Sequence, residues 1–440
     1  MSVRSLSQDF LRALGGSTGI YVFGAAMAFF VGVQLARGLG VAGYGLYGSA
    51  MAAASLGANV AAGGLQTHAT RDLSAYLAQG DEAGAARLVA WSFRHVLALG
   101  AAAALAAGAY VIWGLNGPPA LAYATMLTTA LIAMVMLVGA IVRGAGQLVL
   151  GQALDNAIRP AAQAALLWIA ILALGVIEPG LAMALTCVAI LFTLPFGWRA
   201  VSHLWRVPQK GAGDAAERQG WGKASVTMGL STIINAAETT LPLLMVGALT
   251  TIEEAGLFRV STAIMVFSNL PATMMMVMTP AMASSLYHKG DAAQLRRLSL
   301  AAAAVMLLPT VGIAGCLWIF GENLLALAFG NDYRAAWPIM CILTEASVIG
   351  SMGGISISLL HAARSDAVVT RACAVSLAVT VIGLVFAAFD GRATTFAVAV
   401  LAGTLARMLY LVWSTRRNVG IDPTILAILG ALAGWRRRIR

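Results

Sequence analysis

A series of long apolar runs, separated by short loops that hold most of the charge, limits what this chain can fold into. A helix crosses the hydrocarbon core of a bilayer in about 20 residues, and there every backbone polar group has to be satisfied within the segment or by a closed barrel. The runs consist largely of Ala, Leu, Val and Gly, which argues for helices and against a membrane β-barrel. Only 10% of the residues are charged, 60% are hydrophobic and the mean hydropathy is +0.84. A soluble domain carries about a quarter charged residues, so this chain cannot cover itself with polar surface. The reading is an all-α, polytopic membrane protein.

Twelve crossings are expected, at 16–36, 44–65, 89–113, 120–142, 157–177, 181–198, 224–249, 256–283, 299–320, 336–361, 367–388 and 392–413. Gly38, Gly40 and Gly43 allow a tight reversal between the first two. A polar segment from Gln66 to Arg87 precedes the third, and Asn116-Gly117-Pro118-Pro119 turns the chain before the fourth. The longest polar interval, Arg199–Lys223, divides the chain into a first six-helix bundle (1–205), a linker (206–223), a second bundle (224–418) and a basic tail (419–440). Within the tail, Ile425–Trp435 is too short to cross and reads as a helix lying on the membrane surface. No small-residue cleavage site follows the first apolar run, which is therefore expected to be retained.

The two halves share landmarks. Gly45-Leu46-Tyr47 recurs 211 positions later as Gly256-Leu257-Phe258, and an apolar run follows each. Gly80-Asp81 recurs as Gly290-Asp291 and Ala86-Arg87-Leu88 as Arg296-Arg297-Leu298, both at an offset of 210. Three landmarks in one order at nearly one spacing point to a duplicated plan, as many transporters have.

The charges orient the chain. With the N-terminus in the cytoplasm, 23 of the 28 Lys and Arg fall on the cytoplasmic side, both termini included. Arg37, Arg259, Arg334 and Arg392 fall outside and Arg407 within the last crossing. Topology thus accounts for the net charge of +10, which removes the argument for nucleic acid as a partner. No loop is long enough for a soluble catalytic domain, and no catalytic residue is assigned. Cys187, Cys316, Cys341 and Cys373 lie inside apolar runs and read as small buried hydrophobes. The five histidines make no ligand spacing, and no Gly-rich phosphate loop precedes a Lys. No metal or cofactor is expected.

Residues 35–47, with Ala36-Arg37-Gly38-Leu39-Gly40 leading to Tyr44-Gly45-Leu46-Tyr47, resemble the first-loop pattern of bacterial polysaccharide and lipopolysaccharide biosynthesis flippases. Arg143-Gly-Ala-Gly-Gln, Leu150-Gly-Gln and Ile158-Arg159-Pro160 are similar to a connection in one branch of that family. Ala255-Gly-Leu-Phe-Arg-Val260, Phe329-Gly-Asn-Asp-Tyr333 and Arg416-Arg-Asn-Val-Gly-Ile421 resemble its second half. The resemblance covers nearly the whole chain. It implies the superfamily of multidrug, oligosaccharidyl-lipid and polysaccharide exporters, and two six-helix bundles forming a V around a central cavity. It also implies alternating access that carries a polyprenyl-diphosphate-linked oligosaccharide, of the O-antigen type, from the inner to the outer leaflet of the bacterial inner membrane. Glycan polymerase or ligase machinery would be downstream partners. One departure is Pro242, which stands where many relatives have an Asp; Glu238 lies one turn earlier.

An anionic sugar-diphosphate headgroup needs cations and hydrogen-bond donors at membrane depth, where every charge is costly and a functional candidate. Arg37, Arg259 and Arg407 are candidate substrate ligands, against snorkelling to the interface for the first two and pairing with an acid for the third. Asn59, Asn235 and Asn269 are candidates for sugar hydroxyls, against interhelical hydrogen bonding. Glu238 and Glu345 are candidates for coupling to a proton or monovalent cation, against structural pairing with an arginine. An exporter of small amphipathic or cationic compounds on the same fold is the alternative, and its cavity should be acidic.

Overall fold

The computed structural model describes residues 3–175, 177–202 and 215–424, with side chains except at 3–18, 215–218, 227, 277 and 281. The surface helix expected at Ile425–Trp435, and most of the linker at 206–223, lie outside the described residues. Among the described residues there is no strand. In chain order the helices are α1 (Val3–Ala78), α2 (Glu82–Ala109), α3 (Pro119–Gly144), α4 (Leu148–Ala153), α5 (Arg159–Leu174), α6 (Pro179–Val201) and α7 (Ala215–Leu249). There follow α8 (Ile252–Ser268), α9 (Leu270–His288), α10 (Ala292–Ala328), α11 (Trp337–Met352), α12 (Ser356–Ala362), α13 (Asp366–Asp390) and α14 (Ala393–Val419). A π-helical turn, Leu154–Ile158, joins α4 to α5, so that Leu148–Leu174 is one crossing.

Among the described residues, ten helical stretches are long and apolar enough to cross a membrane, and α8 with α9 forms an eleventh, bent by 50°. The apolar stretch of α1 runs 60 residues, about 90 Å of helix and about twice a bilayer with its headgroups. It holds two crossings, because Gly40 breaks it with φ 68° and ψ 179°, a conformation open to glycine and not to residues with a Cβ. A Cβ on Gly32 would lie 3.3 Å from the Tyr44 hydroxyl, whereas an unbroken helix would hold the two residues about 18 Å apart along its axis. The chain therefore folds back at Gly40, which makes twelve crossings among the described residues. This is a multi-pass, all-helical membrane protein.

Several helices outrun the expected limits. The polar segment Gln66–Arg87 is not a loop: α1 continues to Ala78, α2 starts at Glu82, and Gln79-Gly80-Asp81 joins them. Hydropathy marks where a helix leaves the lipid, not where it stops. Here Leu73 and Leu88 on the two polar ends are fully buried in one core, so packing extends both helices. Conversely, the eighth crossing is broken at Asn269, before Pro271, and the tenth at Gly353-Gly354, between α11 and α12.

The packed chain divides into two compact units between Arg259 and Val260. In the first, Leu88, Leu137, Ile141 and Ile190 centre a core built by α1, α2, α3 and α6. In the second, Leu295, Met306, Ile355 and Leu359 form a core between α9, α10 and α12. The repeat seen in the sequence has a backbone counterpart in each unit. Gly80 and Gly290 both take positive φ, 75° and 70°, the left-handed step that ends a helix. Asp81 (φ −86°, ψ 75°) and Asp291 (φ −84°, ψ 76°) then cap the next helix, accepting from the Gly84 and Gln294 amides at 2.7 and 2.9 Å. Each supplies an acceptor to an otherwise unsatisfied first-turn donor.

Candidate functional site

The second arm of α1 (41–78) and α7 run antiparallel through small residues. A Cβ on Gly229 would lie 2.9 Å from Gly64 Cα, one on Gly63 would lie 3.4 Å from Thr232, and one on Gly247 would meet Ser49. Near the break, a Cβ on Gly45 would lie 2.6 Å from Gly256 N and would run into the Ile252 carbonyl. The glycines of the duplicated Gly-Leu-aromatic motif thus meet backbone to backbone, and the aromatic residues Tyr47 and Phe258 are both buried.

That contact positions Arg259. Thr251 starts α8 by accepting from the Glu254 amide at 3.2 Å, and Glu253 and Glu254 fill the first turn, where acids suit the helix N-terminus. Arg259 is therefore seven residues, about 10 Å, inside α8. The hydropathy puts Arg259 at the start of this helix, whereas the helix begins at Ile252 and Arg259 lies inside it. Its stem lies on Gly48, where a Cβ would be 2.7 Å from the Arg259 Cγ, and its guanidinium lies in the electrostatic reach of the Tyr44 hydroxyl. Arg259 is half-buried while Tyr44 is buried completely. The arrangement fixes a planar cation part-way into the crossing, with donors matched to a carboxylate or phosphate.

The register places Asn59 four residues before Gly63 and Glu238 six residues beyond Thr232, so Asn59, Asn235 and Glu238 share a level on the α1–α7 seam. Glu238 is 8% exposed, Asn235 exposed, and Asn59 half-buried with its amide donating to Ser55 O at 2.9 Å. Pro242 brings no N–H to the Glu238 carbonyl, which opens α7 at the acid's own turn. From Gly48 to Asn59 is eleven residues, roughly 16 Å of helix. The structure therefore separates the Arg259 cation and the Glu238 acid into two layers of one unit. Arg37, three residues before the break, is exposed.

The other candidates belong to the second unit. Arg407 is half-buried near the middle of α14. Gly350 faces Thr404 and Gly353 faces Met408, so α11 and α14 run parallel, and Glu345, exposed on α11, lies about two turns from the level of Arg407. Asn269 stands at the α8–α9 bend, where its carbonyl accepts from Thr273 Oγ1 at 3.0 Å.

Some polar groups escaped the sequence reading. Gln163 donates to Tyr47 Oη at 3.0 Å and to Thr186 Oγ1 at 2.9 Å, with Tyr47 and Thr186 3.1 Å apart, all buried. The network ties α1, α5 and α6 together, as interhelical polar groups do in membranes. His68 is fully buried, 3.1 Å from Asp72, and meets the edge of Trp91, whose ring is also in contact with His95 and Trp221. Cys316, expected to be buried, is exposed on α10, as a residue on the lipid side of a crossing can be.

Solved structures share this arrangement of helices. An inward-facing multidrug resistance MATE family transporter of the MOP superfamily superposes with a TM-score of 0.68 at 12% identity, covering 90% of this chain and 94% of that one. Lipid II flippase MurJ, in an inward closed conformation, gives 0.71 at 12% identity, covering 91% and 87%. A point mutant of the Vibrio cholerae MATE transporter VcmN gives 0.62 at 17% identity, covering 93% and 98%. The chain thus has the same fold as these solved transporters and flippase. Among protein-family models and among curated proteins the sequence matches none.

Proposed function

We propose that this protein is a flippase that moves a polyprenyl-diphosphate-linked oligosaccharide from the cytoplasmic to the outer leaflet of the bacterial inner membrane by alternating access, for surface polysaccharide assembly. Arg259 carries the reading: a guanidinium two turns inside a crossing, beside Tyr44 and with its stem on the flat surface of Gly48, suits a diphosphate and repels a cationic drug. Arg37 and Arg407 would be further anion ligands, and Asn59, Asn235 and Asn269 would serve sugar hydroxyls. Glu238, buried on a proline-opened turn, would take a proton or monovalent cation, with Glu345 the second candidate. A solved MOP-fold structure is a lipid II flippase, which supports a lipid-linked substrate. In this reading both termini are cytoplasmic, the halves are 1–205 and 224–418, and a glycan polymerase or ligase takes over the product.

A second reading, a gradient-driven exporter of small amphipathic or cationic compounds, is favoured by one observation: Glu238 supplies a buried acid in the layer away from Arg259. The MATE transporters of this fold support it too. A deletion strain separates the two. Radiolabelled sugar is followed into the polyprenyl-diphosphate pool, and its leaflet is found by periplasmic access to a glycan-binding probe. Accumulation in the cytoplasmic leaflet, with loss of surface glycan, supports the flippase. A normal pool with new sensitivity to cationic compounds supports the exporter. In the complemented strain, Arg259→Gln should lose about 10- to 100-fold in substrate affinity, the worth of one charge-assisted hydrogen-bond pair, while Arg259→Lys keeps part of it.

A further inference from the structure

Between α2, α3 and α6 of the first unit lies a cavity of about 500 Å³, within the roughly 300–1,000 Å³ of pockets that bury a small ligand. Phe93, Val138, Leu191, Pro195 and Trp198 are among its walls, and among the described residues Arg199 is the charged one in its lining. Pro195 accounts for the opening. Set inside α6, it supplies no N–H to the Leu191 carbonyl and forces the helix away from it, and Leu191 and Pro195 both face the cavity. Phe93 and Trp198 close one part edge to face, with ring centroids 6.1 Å apart.

The neighbouring surface belongs to lipid. Leu191, Phe192 and Phe196 are each about half exposed on a crossing helix, so an acyl chain can enter from the side. At the other end, Trp198 and Arg199 stand in the last turn of α6, which ends at Val201. An aromatic ring and an arginine at a helix end mark the headgroup level, and basic pockets between crossing helices select anionic headgroups. We propose that this cavity holds one anionic glycerophospholipid, with an acyl chain along Phe93, Leu191 and Pro195 and its phosphate on the Arg199 guanidinium. The inference rests on the membrane placement alone and holds whatever the protein transports.

The full chain, purified in a mild detergent, is titrated with phosphatidylglycerol or phosphatidylcholine of matched chains and weighed by native mass spectrometry. One phosphatidylglycerol should be retained per chain, in preference to phosphatidylcholine. Arg199→Gln should weaken it about tenfold, as the loss of a charge-assisted hydrogen bond does. Leu191→Trp should abolish it by filling the cavity. Both residues are exposed, so both variants are expected to fold, and a monodisperse elution profile checks that. Equal retention of the two lipids, unchanged phosphatidylglycerol binding in both variants, or displacement of phosphatidylglycerol by a polyprenyl phosphate would each overturn the proposal.

Discussion

Replacing Gly45 by alanine tests the central contact of the first unit. The added methyl would stand 2.6 Å from the Gly256 amide nitrogen, and closer still to the Ile252 carbonyl. An unstrained carbon contact needs about 3.5–4.0 Å, so α1 and α8 have to part by roughly 1 Å. Both obstacles are backbone, and no rotamer change relieves them. Overpacking of this kind costs about 1–3 kcal/mol, while the better helix propensity of alanine returns at most about 1 kcal/mol. The net is a loss of up to about 2 kcal/mol, or up to about 8 °C in the unfolding midpoint of a unit this size. Gly312→Ala on α10 is the matched control: nothing lies within 4 Å of its Cβ position, and the same substitution should be neutral or stabilising by up to about 1 kcal/mol. The assay is the temperature at which half the detergent-purified protein leaves the monodisperse peak. Opposite signs are expected. A Gly45→Ala midpoint equal to or above that of Gly312→Ala would refute the backbone-to-backbone contact.

Gln163→Leu removes both donors that reach Tyr47 and Thr186 and should cost about 0.6–1.7 kcal/mol, the range of interhelical hydrogen bonds in membranes, read as a lower midpoint in the same assay. Asp81→Ala and Asp291→Ala should each cost about 1 kcal/mol through the lost cap, and asparagine at either position should restore most of it; unequal rescue would show that the two turns are not equivalent. Asp422 is partly desolvated, which raises its pKa, but the Thr424 amide and hydroxyl and the Arg416 guanidinium accumulate on the carboxylate and hold it below the usual value. A depressed carboxyl contributes stability that is full above its ordinary pKa and lost as pH falls through the native one. Proteolytic protection after α14 should therefore be flat from neutral pH to about pH 4 and fall below it, and Asp422→Asn should remove that acid limb.

Hydropathy alone carried the class of fold, since nothing but a helical bundle buries so many apolar runs in lipid. It also located Gly40, because three glycines in six residues between two apolar runs read as a reversal. The Gly-Asp landmarks were legible for a local reason: a left-handed glycine followed by a capping aspartate is written in two adjacent residues. The Gln163 network was not legible, because its members stand 23 to 139 residues apart and each alone resembles an isolated polar residue on an apolar face. The two-layer separation of Arg259 and Glu238 depends on a helix–helix register, which small residues set without naming their partners.

The depth of Arg259 is the instructive case. Glu253 and Glu254 lower the hydropathy, so the apolar run starts at Gly256 and the arginine reads as a residue at the helix mouth, free to snorkel. The helix in fact starts at Ile252, and the chain states it: Thr251-Ile-Glu-Glu254 has the Ser/Thr-x-x-Glu pattern of a capping box, and the Thr251 hydroxyl accepts from the Glu254 amide at 3.2 Å. Where a capping motif and a hydropathy boundary disagree by one turn, the cap fixes the backbone and hydropathy marks only the solvent. One turn moves a guanidinium by about 5.4 Å, here from the helix mouth into the crossing and onto Gly48. Thr251→Val removes the cap acceptor and should fray that first turn, at a cost of about 1 kcal/mol. The Arg259-dependent step should weaken with it, and Thr251→Ser should restore both. A Thr251→Val variant with full transport and an unchanged midpoint would mean that the Gly45–Gly256 contact alone sets the depth of Arg259.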